Sequence, residues 1–270
     1  MISLHSIMRL DLYLTQKGYC ETRSKASQLI KNSKVKVNDK TITKNGFEVK
    51  ENDNVVVIEN DVLEYVSRGG HKLEKAIEVF SIDMKDKVIC DIGSSTGGFT
   101  DCALKHGARK SYAVDVGTSQ LHDSLRNDPR VIVLENTNFR YIDKKVFQEP
   151  IDYYVCDVSF ISIREILKTL VSFKEDFHIL LLFKPQFEVG PGKLNKKGVV
   201  KSPDYLVEAL VDFEAFLKNK KLSVLNASYS PILGNKEGNI EFLFDISTKG
   251  KSTKLDYQAL VNEAEIALHN

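Results

Sequence analysis

Two rhythms of hydrophobic and polar positions run along the chain, and one gives way to the other near residue 88. In the first stretch, apolar residues recur at helical spacing over 8–18, with Leu10 and Leu14 on one face and Gly18 as a stop. Thr22 or Ser24 can cap a second helix over 25–31, which turns Ala26, Leu29 and Ile30 inward. The period then drops to two. Val35-Lys36-Val37-Asn38 alternates as a half-buried strand does, Asn38-Asp39 makes a turn, and 41–43 and 55–58 are further strands. A module of about 50 residues has only a thin core.

From Val88 onward, strands are expected over 88–91, 111–115, 131–134, 153–157, 178–183, 223–229 and 240–246. Helices are expected between them over 98–106, 119–127, 163–173 and 204–219, and a last helix over 255–268 packs on this body. Strands alternating with helices predict an α/β fold: a mostly parallel sheet with helices on both faces, preceded by a small α+β head. No internal repeat interrupts the pattern.

Charge changes the picture more than composition does. The 270 residues are 42% hydrophobic and 28% charged, an ordinary globular balance, and the net charge of +1 taken alone argues against a nucleic-acid binder. The distribution is uneven, however. Residues 1–50 hold ten basic and four acidic side chains, whereas 51–66 hold five acids (Glu51, Asp53, Glu59, Asp61, Glu64) and no base. A basic head, an acidic collar and a near-neutral body predict two domains. No apolar run approaches the roughly 18 residues that span a bilayer. His5, Arg9 and Asp11 break any signal-peptide pattern, and four cysteines without CxxC spacing read as reduced thiols, so a cytoplasmic location is expected. The six histidines are scattered, and no metal site is expected.

Three stretches carry candidate chemistry. The first is the glycine-rich turn Asp91-Ile92-Gly93-Ser94-Ser95-Thr96-Gly97-Gly98-Phe99, where a strand meets its helix. Ligands of such sheets bind beyond the strands' carboxyl ends, and Asp115 ends the next strand where an acid can accept hydrogen bonds from ribose hydroxyls. The D-x-G-x-x-x-G-G spacing departs from the dinucleotide G-x-G-x-x-G pattern and resembles the first motif of S-adenosylmethionine-dependent methyltransferases. A tight turn with no ligand is the alternative. The second stretch pairs Asp157 with Lys184, which close neighbouring strands at the same rim. Either alone is ordinary at a wet strand end, but a Lys beside a carboxylate can act on a hydroxyl. The third is the loop 184–201, with five lysines (Lys184, Lys193, Lys196, Lys197, Lys201) against Glu188; it suits phosphate contact or simple solvation. A further segment, 67–73, precedes the first body helix and brings Arg68, His71 and Lys72.

Longer strings give a resemblance. The head carries Arg9-Leu10-Asp11, Leu14, Gly18, Arg23-Ser24-Lys25-Ala26, Leu29-Ile30 and Val35-Lys36-Val37-Asn38. The body carries Ser67-Arg68-Gly69-Gly70-His71-Lys72-Leu73, the run 91–100, the run 124–131, Asp157-Val158-Ser159-Phe160-Ile161-Ser162, Lys184-Pro185-Gln186-Phe187-Glu188-Val189-Gly190 and Gly238-Asn239-Ile240-Glu241. Over nearly the whole chain, this set resembles the TlyA family. Its members join an RNA-binding domain of the kind first seen in small-subunit ribosomal protein four to an FtsJ-like ribose 2′-O-methyltransferase, and they often bear a hemolysin label.

The resemblance implies a Rossmann-like methyltransferase sheet, with an RNA-binding domain over 1–62, a linker over 63–71 and the methyltransferase domain over 72–270. It implies S-adenosylmethionine as cofactor and ribosomal RNA or ribosomal subunits as partner. The expected activity is 2′-O-methylation of cytidine in large-subunit rRNA, and in some relatives small-subunit rRNA too. The family's catalytic tetrad maps onto Lys72, Asp157, Lys184 and Glu241. Residue patterns alone do not single out Glu241, which reads as an exposed strand residue. Asp91, Gly93, Thr96, Gly97, Gly98 and Phe99 map to the cofactor's methionine end and Asp115 to its ribose. Asn138 stands near the adenine, where relatives often carry Asp. Arg9, Arg23, Lys25, Lys31, Lys34, Lys36 and Arg68 are candidates for RNA phosphates. In Leu63-Glu64-Tyr65-Val66 the chain has Leu63 where a relative shows Arg. Competing readings are a non-catalytic RNA-binding or assembly factor, a membrane-active hemolysin and a nicotinamide oxidoreductase.

Overall fold

The computed structural model describes residues 7–20, 22–31, 34–50, 52–57, 65–234 and 238–269. The chain divides into two compact units, Met1–Glu64 and Tyr65–Asn270.

The first unit contains β1 (Met8–Arg9), α1 (Leu10–Gln16), α2 (Arg23–Lys31), β2 (Val35–Val37), β3 (Lys40–Thr41), β4 (Glu48–Val49) and β5 (Val55–Val57). β1 pairs antiparallel with β4, and β3-β2-β5 form a second antiparallel sheet. Leu10, Leu14, Ala26, Ile30, Val35, Val37, Val49 and Val55 make its core. The expected first helix starts two residues late, because Met8 and Arg9 are used to pair with Val49 and Glu48. Two-residue strands have no readable period, so β1 and β4 were not expected. Ile58 of the expected last strand, and Glu51, Glu59, Asp61 and Glu64 of the acidic collar, lie outside the described residues.

The second unit follows as α3 (Gly69–Val79), β6 (Val88–Ile92), α4 (Gly98–Lys105), β7 (Lys110–Val114), α5 (Asp123–Arg126), β8 (Val131–Leu134), β9 (Tyr153–Cys156), α6 (Ile163–Ser172), β10 (His178–Phe183), α7 (Pro203–Asn219), β11 (Ser223–Tyr229), β12 (Phe242–Ser247) and α8 (Tyr257–His269). Its seven-stranded sheet has the order β11-β12-β10-β9-β6-β7-β8. The five strands from β10 to β8 are parallel, and β12 is inserted antiparallel between β10 and β11. Alternate strand residues feed two cores. Cys90, Tyr112 and Leu181 face α6, α7 and α8, while Ile89, Ala113 and Leu180 face α3, α4 and α5. β6 is buried along its whole length, as its apolar run requires of a strand covered on both faces.

Topology fixes where a site can form. The chain leaves β6 for β7 and β8, then returns to β9 on the other side of β6, so the carboxyl ends of β6 and β9 flank a topological switch point. Phe183 pairs with Phe242 across the antiparallel β10–β12 ladder. This register brings Glu241, just before β12, to the same rim as Lys184, just after β10.

Of the stretch 63–71, expected as a linker, the residues from Tyr65 onward belong to the second unit. Leu63 and Glu64 lie outside the described residues, but Tyr65 is buried in the second unit and α3 already begins at Gly69. Tyr65 donates its hydroxyl to Glu74 at 2.6 Å, and Asp101 accepts from the Val66 amide at 2.7 Å. The Tyr65 ring lies against Gly70, where a Cβ would come within 2.2 Å of it. Gly70 allows an aromatic ring to pack on a helix start. The helix expected over 119–127 shrinks to Asp123–Arg126. The last helix forms as expected and buries Val261 and Ala264. Among the described residues, no helix is long and apolar enough to cross a membrane.

Candidate active site

A cavity of about 610 Å³ opens at the carboxyl ends of β6, β9 and β10, lined in part by the glycine turn and by Lys72, Asp157, Lys184 and Glu241. After β6 the backbone turns through Gly93 at φ +81° and reaches α4 through Gly97 at φ +94°. Both positions also exclude a side chain. A Cβ at Gly93 would meet Val158 Cγ1 at 2.9 Å, and one at Gly97 would meet Leu125 Cδ1 at 2.3 Å. The turn is therefore glycine-rich for conformation and for space at once.

Asp91 sits beneath this turn, 1% exposed. Its Oδ2 accepts from the Thr100 amide at 2.9 Å and the Thr100 hydroxyl at 2.7 Å. Its Oδ1 is buried and accepts nothing from the described residues. Burial, opposed by the Thr100 hydrogen bonds and reinforced by the charges of Asp157 and Asp115, pushes the Asp91 carboxyl up to about 7. A buried acceptor with no donor, lining a cavity, is a place for a ligand ammonium or hydroxyl. Gly98 and Phe99, the first residues of α4, lie on the cavity wall, and amides at a helix start suit a ligand carboxylate.

Four charged groups meet on the other side of the cavity, each delivered by a different element. Lys72 comes from the first turn of α3, Asp157 from the end of β9, Lys184 from the end of β10 and Glu241 from the residue before β12. Lys72 Nζ lies 2.6 Å from Glu241 Oε2 and 3.9 Å from Asp157 Oδ2. Lys184 Nζ lies 2.5 Å from Asp157 Oδ1, out of line for a hydrogen bond, and donates instead to Ser159 Oγ at 2.8 Å. Gln186 donates to Glu241 Oε1 at 3.3 Å. The lysines are 5% and 9% exposed and Glu241 2%. Two lysines and two carboxylates thus balance in formal charge within a largely buried cluster.

Neighbours in sequence hold these groups in place. Pro185 ends β10. Glu188 accepts from the Ile163 amide at 2.9 Å and the Ser162 hydroxyl at 2.9 Å, tying the loop after β10 to the start of α6. Burial raises the Glu188 carboxyl above its usual range. Phe160 is 92% exposed, with φ +64°, and its ring centroid is 5.5 Å from that of Phe187; both line the cavity. A bulky residue in the left-handed region is unusual.

The structure thus gathers Lys72, Asp157, Lys184 and Glu241 with Asp91, Gly93, Thr96, Gly98, Phe99 and Arg68 on one cavity. Three expected cofactor residues are not on its lining. Gly97 faces Leu121 and Leu125. Asp115 accepts from the Ser95 and Gly117 amides, at 2.8 and 2.7 Å, and so braces the glycine turn. Asn138 caps a short helix by accepting from the Arg140 amide at 3.1 Å. Ser159, Phe160 and Gln186 were missed individually, as was the role of Glu188, although each lies inside a string already noted.

The head cations lie in the first unit. Arg9 and Arg23 converge on the buried Asp11, with Arg9 Nε 3.0 Å from Oδ1 and Arg23 Nη2 2.8 Å from Oδ2. The Arg9 hydrogen bond, helped by Arg23, holds the Asp11 carboxyl down at about 2. Lys25 and Lys31 are exposed on α2, and Lys34 and Lys36 are half-buried around the start of β2.

Comparison with known proteins agrees with this layout. Residues 65–246 match the FtsJ-like methyltransferase family, and residues 8–55 match the S4 domain. The chain is 44% identical to hemolysin A of Brachyspira hyodysenteriae over 241 residues, 87% of this chain and 98% of that protein. It is 36% identical over 242 residues to the 16S/23S rRNA (cytidine-2′-O)-methyltransferase TlyA of Mycobacterium tuberculosis, 89% of this chain and 90% of that one. A solved structure from Streptococcus thermophilus that carries a hemolysin designation superimposes with a TM-score of 0.75 at 36% identity, covering 97% of this chain and 96% of that one. The match spans both units and includes the elements that bring the four charged groups together, and the chain belongs to the FtsJ-like methyltransferase family, with an S4 domain at its head.

Proposed function

We propose that this methyltransferase modifies the ribose 2′-hydroxyl of a cytidine in ribosomal RNA, with S-adenosylmethionine as methyl donor, and that it works in the cytoplasm. The observation that carries this reading is the convergence of Lys72, Asp157, Lys184 and Glu241 on the cavity that also holds the glycine turn. The substrate follows from the TlyA relative, whose name specifies rRNA cytidine 2′-O-methylation.

The residues present fit the donor. Asp91 Oδ1, with no partner among the described residues, would accept from its ammonium, and the amides at the start of α4 would hold its carboxylate. Once bound, the donor supplies an electrophilic methyl group on a sulfonium. Asp115, which braces the turn, and Asn138 are its ribose and adenine partners in this reading.

A ribose hydroxyl is a weak nucleophile, so the site must orient it and accept its proton. Lys184 is the group that holds the hydroxyl oxygen. Its ammonium is fixed between Asp157 and Ser159, so little reorganisation is needed when negative charge builds on that oxygen. Asp157 also attracts Lys72, whose own position is set by Glu241. The departing proton passes to this set, in which the carboxylates are the groups able to take it up. The exposed Phe160 ring offers a face for an unstacked base at the cavity rim. In this scheme the residues 1–64 supply RNA affinity, through Arg9, Arg23, Lys25, Lys31, Lys34 and Lys36, and residues 65–270 perform the chemistry.

The test is incubation with methyl-labelled S-adenosylmethionine and separated ribosomal subunits, followed by mapping of the label. The expected product is a 2′-O-methylcytidine in rRNA. Label on a base, or on protein only, would overturn the reading.

A further inference from the structure

The lysine-rich loop after β10 looks uniform in sequence, but the structure assigns its lysines different surroundings. Lys184 belongs to the buried quartet. Lys193 pairs with Glu208 at 2.5 Å and lies over the Tyr205 ring at 5.2 Å. Lys201 donates to the Gly192 carbonyl at 2.9 Å. Lys196 and Lys197 are both exposed, but of these two only Lys197 lines the cavity. Among the described residues, no carboxylate pairs with it.

Its backbone is not loose. Leu194 and Val200 bridge antiparallel, and the Lys201 amide donates to the Lys193 carbonyl at 3.0 Å, closing a small hairpin. Inside the tip, Asn195 Oδ1 accepts from the Lys197 amide at 2.8 Å and the Val199 amide at 3.0 Å. The buried Asn239 then latches the hairpin to the body. Its Oδ1 accepts from the Val200 amide at 3.1 Å, and its Nδ2 donates to the Gly198 carbonyl at 3.0 Å. Asn239 stands two residues before Glu241, so the same short segment supplies the quartet and holds the hairpin.

The quartet itself is charge-balanced and has nothing left over for a phosphate. A nucleotide whose 2′-hydroxyl lies at Lys184 carries its 3′-phosphate on the adjacent ribose carbon, so an anion must enter with the substrate. We propose that Lys197 binds this backbone phosphate, and that Asn239 is the positioning residue that keeps Lys197 at the cavity mouth. The inference rests on the reading of the cavity as a ribose methylation site.

The test uses full-length Lys197→Ala, with Lys196→Ala as a neighbour of equal charge change. Initial rates of label transfer to the subunit that the wild type modifies are measured against RNA and salt concentration, and donor affinity is measured by calorimetry. Lys197→Ala is expected to raise KM for RNA about fivefold to tenfold, with kcat and donor affinity within about twofold. Its slope of log(kcat/KM) against log salt should flatten by close to one. Lys196→Ala should change KM by less than about twofold. Asn239→Ala should raise KM as Lys197→Ala does, and the double variant should add little further increase, as expected of groups acting together. Equal effects of the two lysines, or a Lys197→Ala loss in kcat with KM unchanged, would overturn the inference. A wild type that transfers no label to RNA would overturn the functional reading and this inference with it, whereas an active wild type with an unaltered Lys197→Ala would overturn the inference alone.

Discussion

In the first unit, one buried carboxylate holds two arginines that stay more than half exposed: Asp11 is 7% exposed by side chain, Arg9 56% and Arg23 58%. In the second unit the arrangement is reversed. Lys72 and Lys184 are the buried partners, and Asp157 at 22% is the most exposed side chain of the quartet. The same pairing of cation and carboxylate thus serves two ends. Arginines anchored on a buried carboxylate hold their charge at the surface, where in the proposed scheme it would attract a polyanion without reading its sequence. Lysines fixed inside a cavity act at one point, where low polarity and fixed geometry make each charge count for more. If this contrast is right, substitutions in the second unit should change the rate of chemistry, and substitutions in the first should change the concentration of RNA needed.

The largest effect is expected from Lys184→Ala. In the proposed scheme the ammonium it removes is the one that holds the hydroxyl, so kcat should fall by about 100-fold to 1,000-fold, with donor affinity within about twofold. Single-turnover transfer with saturating RNA measures this without interference from binding. A variant that keeps its full rate would end the assignment of Lys184.

Next comes stability, where the two units should diverge most clearly. Glu241→Gln keeps the shape but leaves the Lys72 ammonium buried, with only Asp157 at 3.9 Å to balance it. The second unit should lose about 3 kcal/mol, the low end for breaking a buried pair. Asp11→Asn releases arginines that already reach water, so the first unit should lose less than half as much. The Asp11 carboxyl lies at about 2 in the fold and near about 4 when unfolded, so its contribution is present at neutral pH. It should fade as pH drops from about 4 toward 2, and Asp11→Asn should remove that dependence. Denaturant unfolding, followed by probes within each unit, distinguishes the two losses. Equal losses would erase the contrast.

Much of this layout was legible from the sequence, for local reasons. The glycine turn, Asp157 and Lys184 lie at strand ends that the hydrophobic rhythm marks directly. Glu241 does not, because its place depends on β12 entering the sheet antiparallel, and strand direction leaves no trace in the residues of a six-residue strand. Resemblance supplied Glu241; periodicity could not. The linker expected over 63–71 did not foresee the start of α3 at Gly69, because the Tyr65 ring that packs on Gly70 is a contact that residue patterns do not show. Ser159 and Gln186 escaped notice, as did the role of Glu188, because their partners, Lys184, Glu241 and the start of α6, come from other elements.

A smaller effect tests the donor half of the cavity. Burial lifts the Asp91 carboxyl to about 7, so below that pH the donor-free protein holds it neutral. An ammonium needs it ionised. Affinity for S-adenosylmethionine should therefore rise by up to about tenfold per pH unit as pH 7 is approached from below, then level off. The raised pKa also means that this group favours the donor-free fold at low pH and loses that contribution between about pH 4 and 7. Asp91→Asn should flatten both dependences. Calorimetry from pH 5.5 to 7.5 reads the first, and a flat wild-type profile would rule out Asp91 as the ammonium's acceptor.

The smallest expected change returns to the first unit. Arg23→Ala removes one exposed cation and leaves Asp11 paired with Arg9 at 3.0 Å, so the fold of the unit should be kept. A single phosphate contact is one of several in such a surface, and its loss should weaken binding about equally for all RNA sequences. KM for RNA should rise about threefold at moderate salt, and the difference from wild type should shrink as salt increases, because screening removes exposed charges first. The rate at saturating RNA should stay within about twofold of wild type. A fall in that rate with KM unchanged would show that Arg23 reaches the chemistry, and the division between a unit that attracts and a unit that reacts would then fail at its most exposed point.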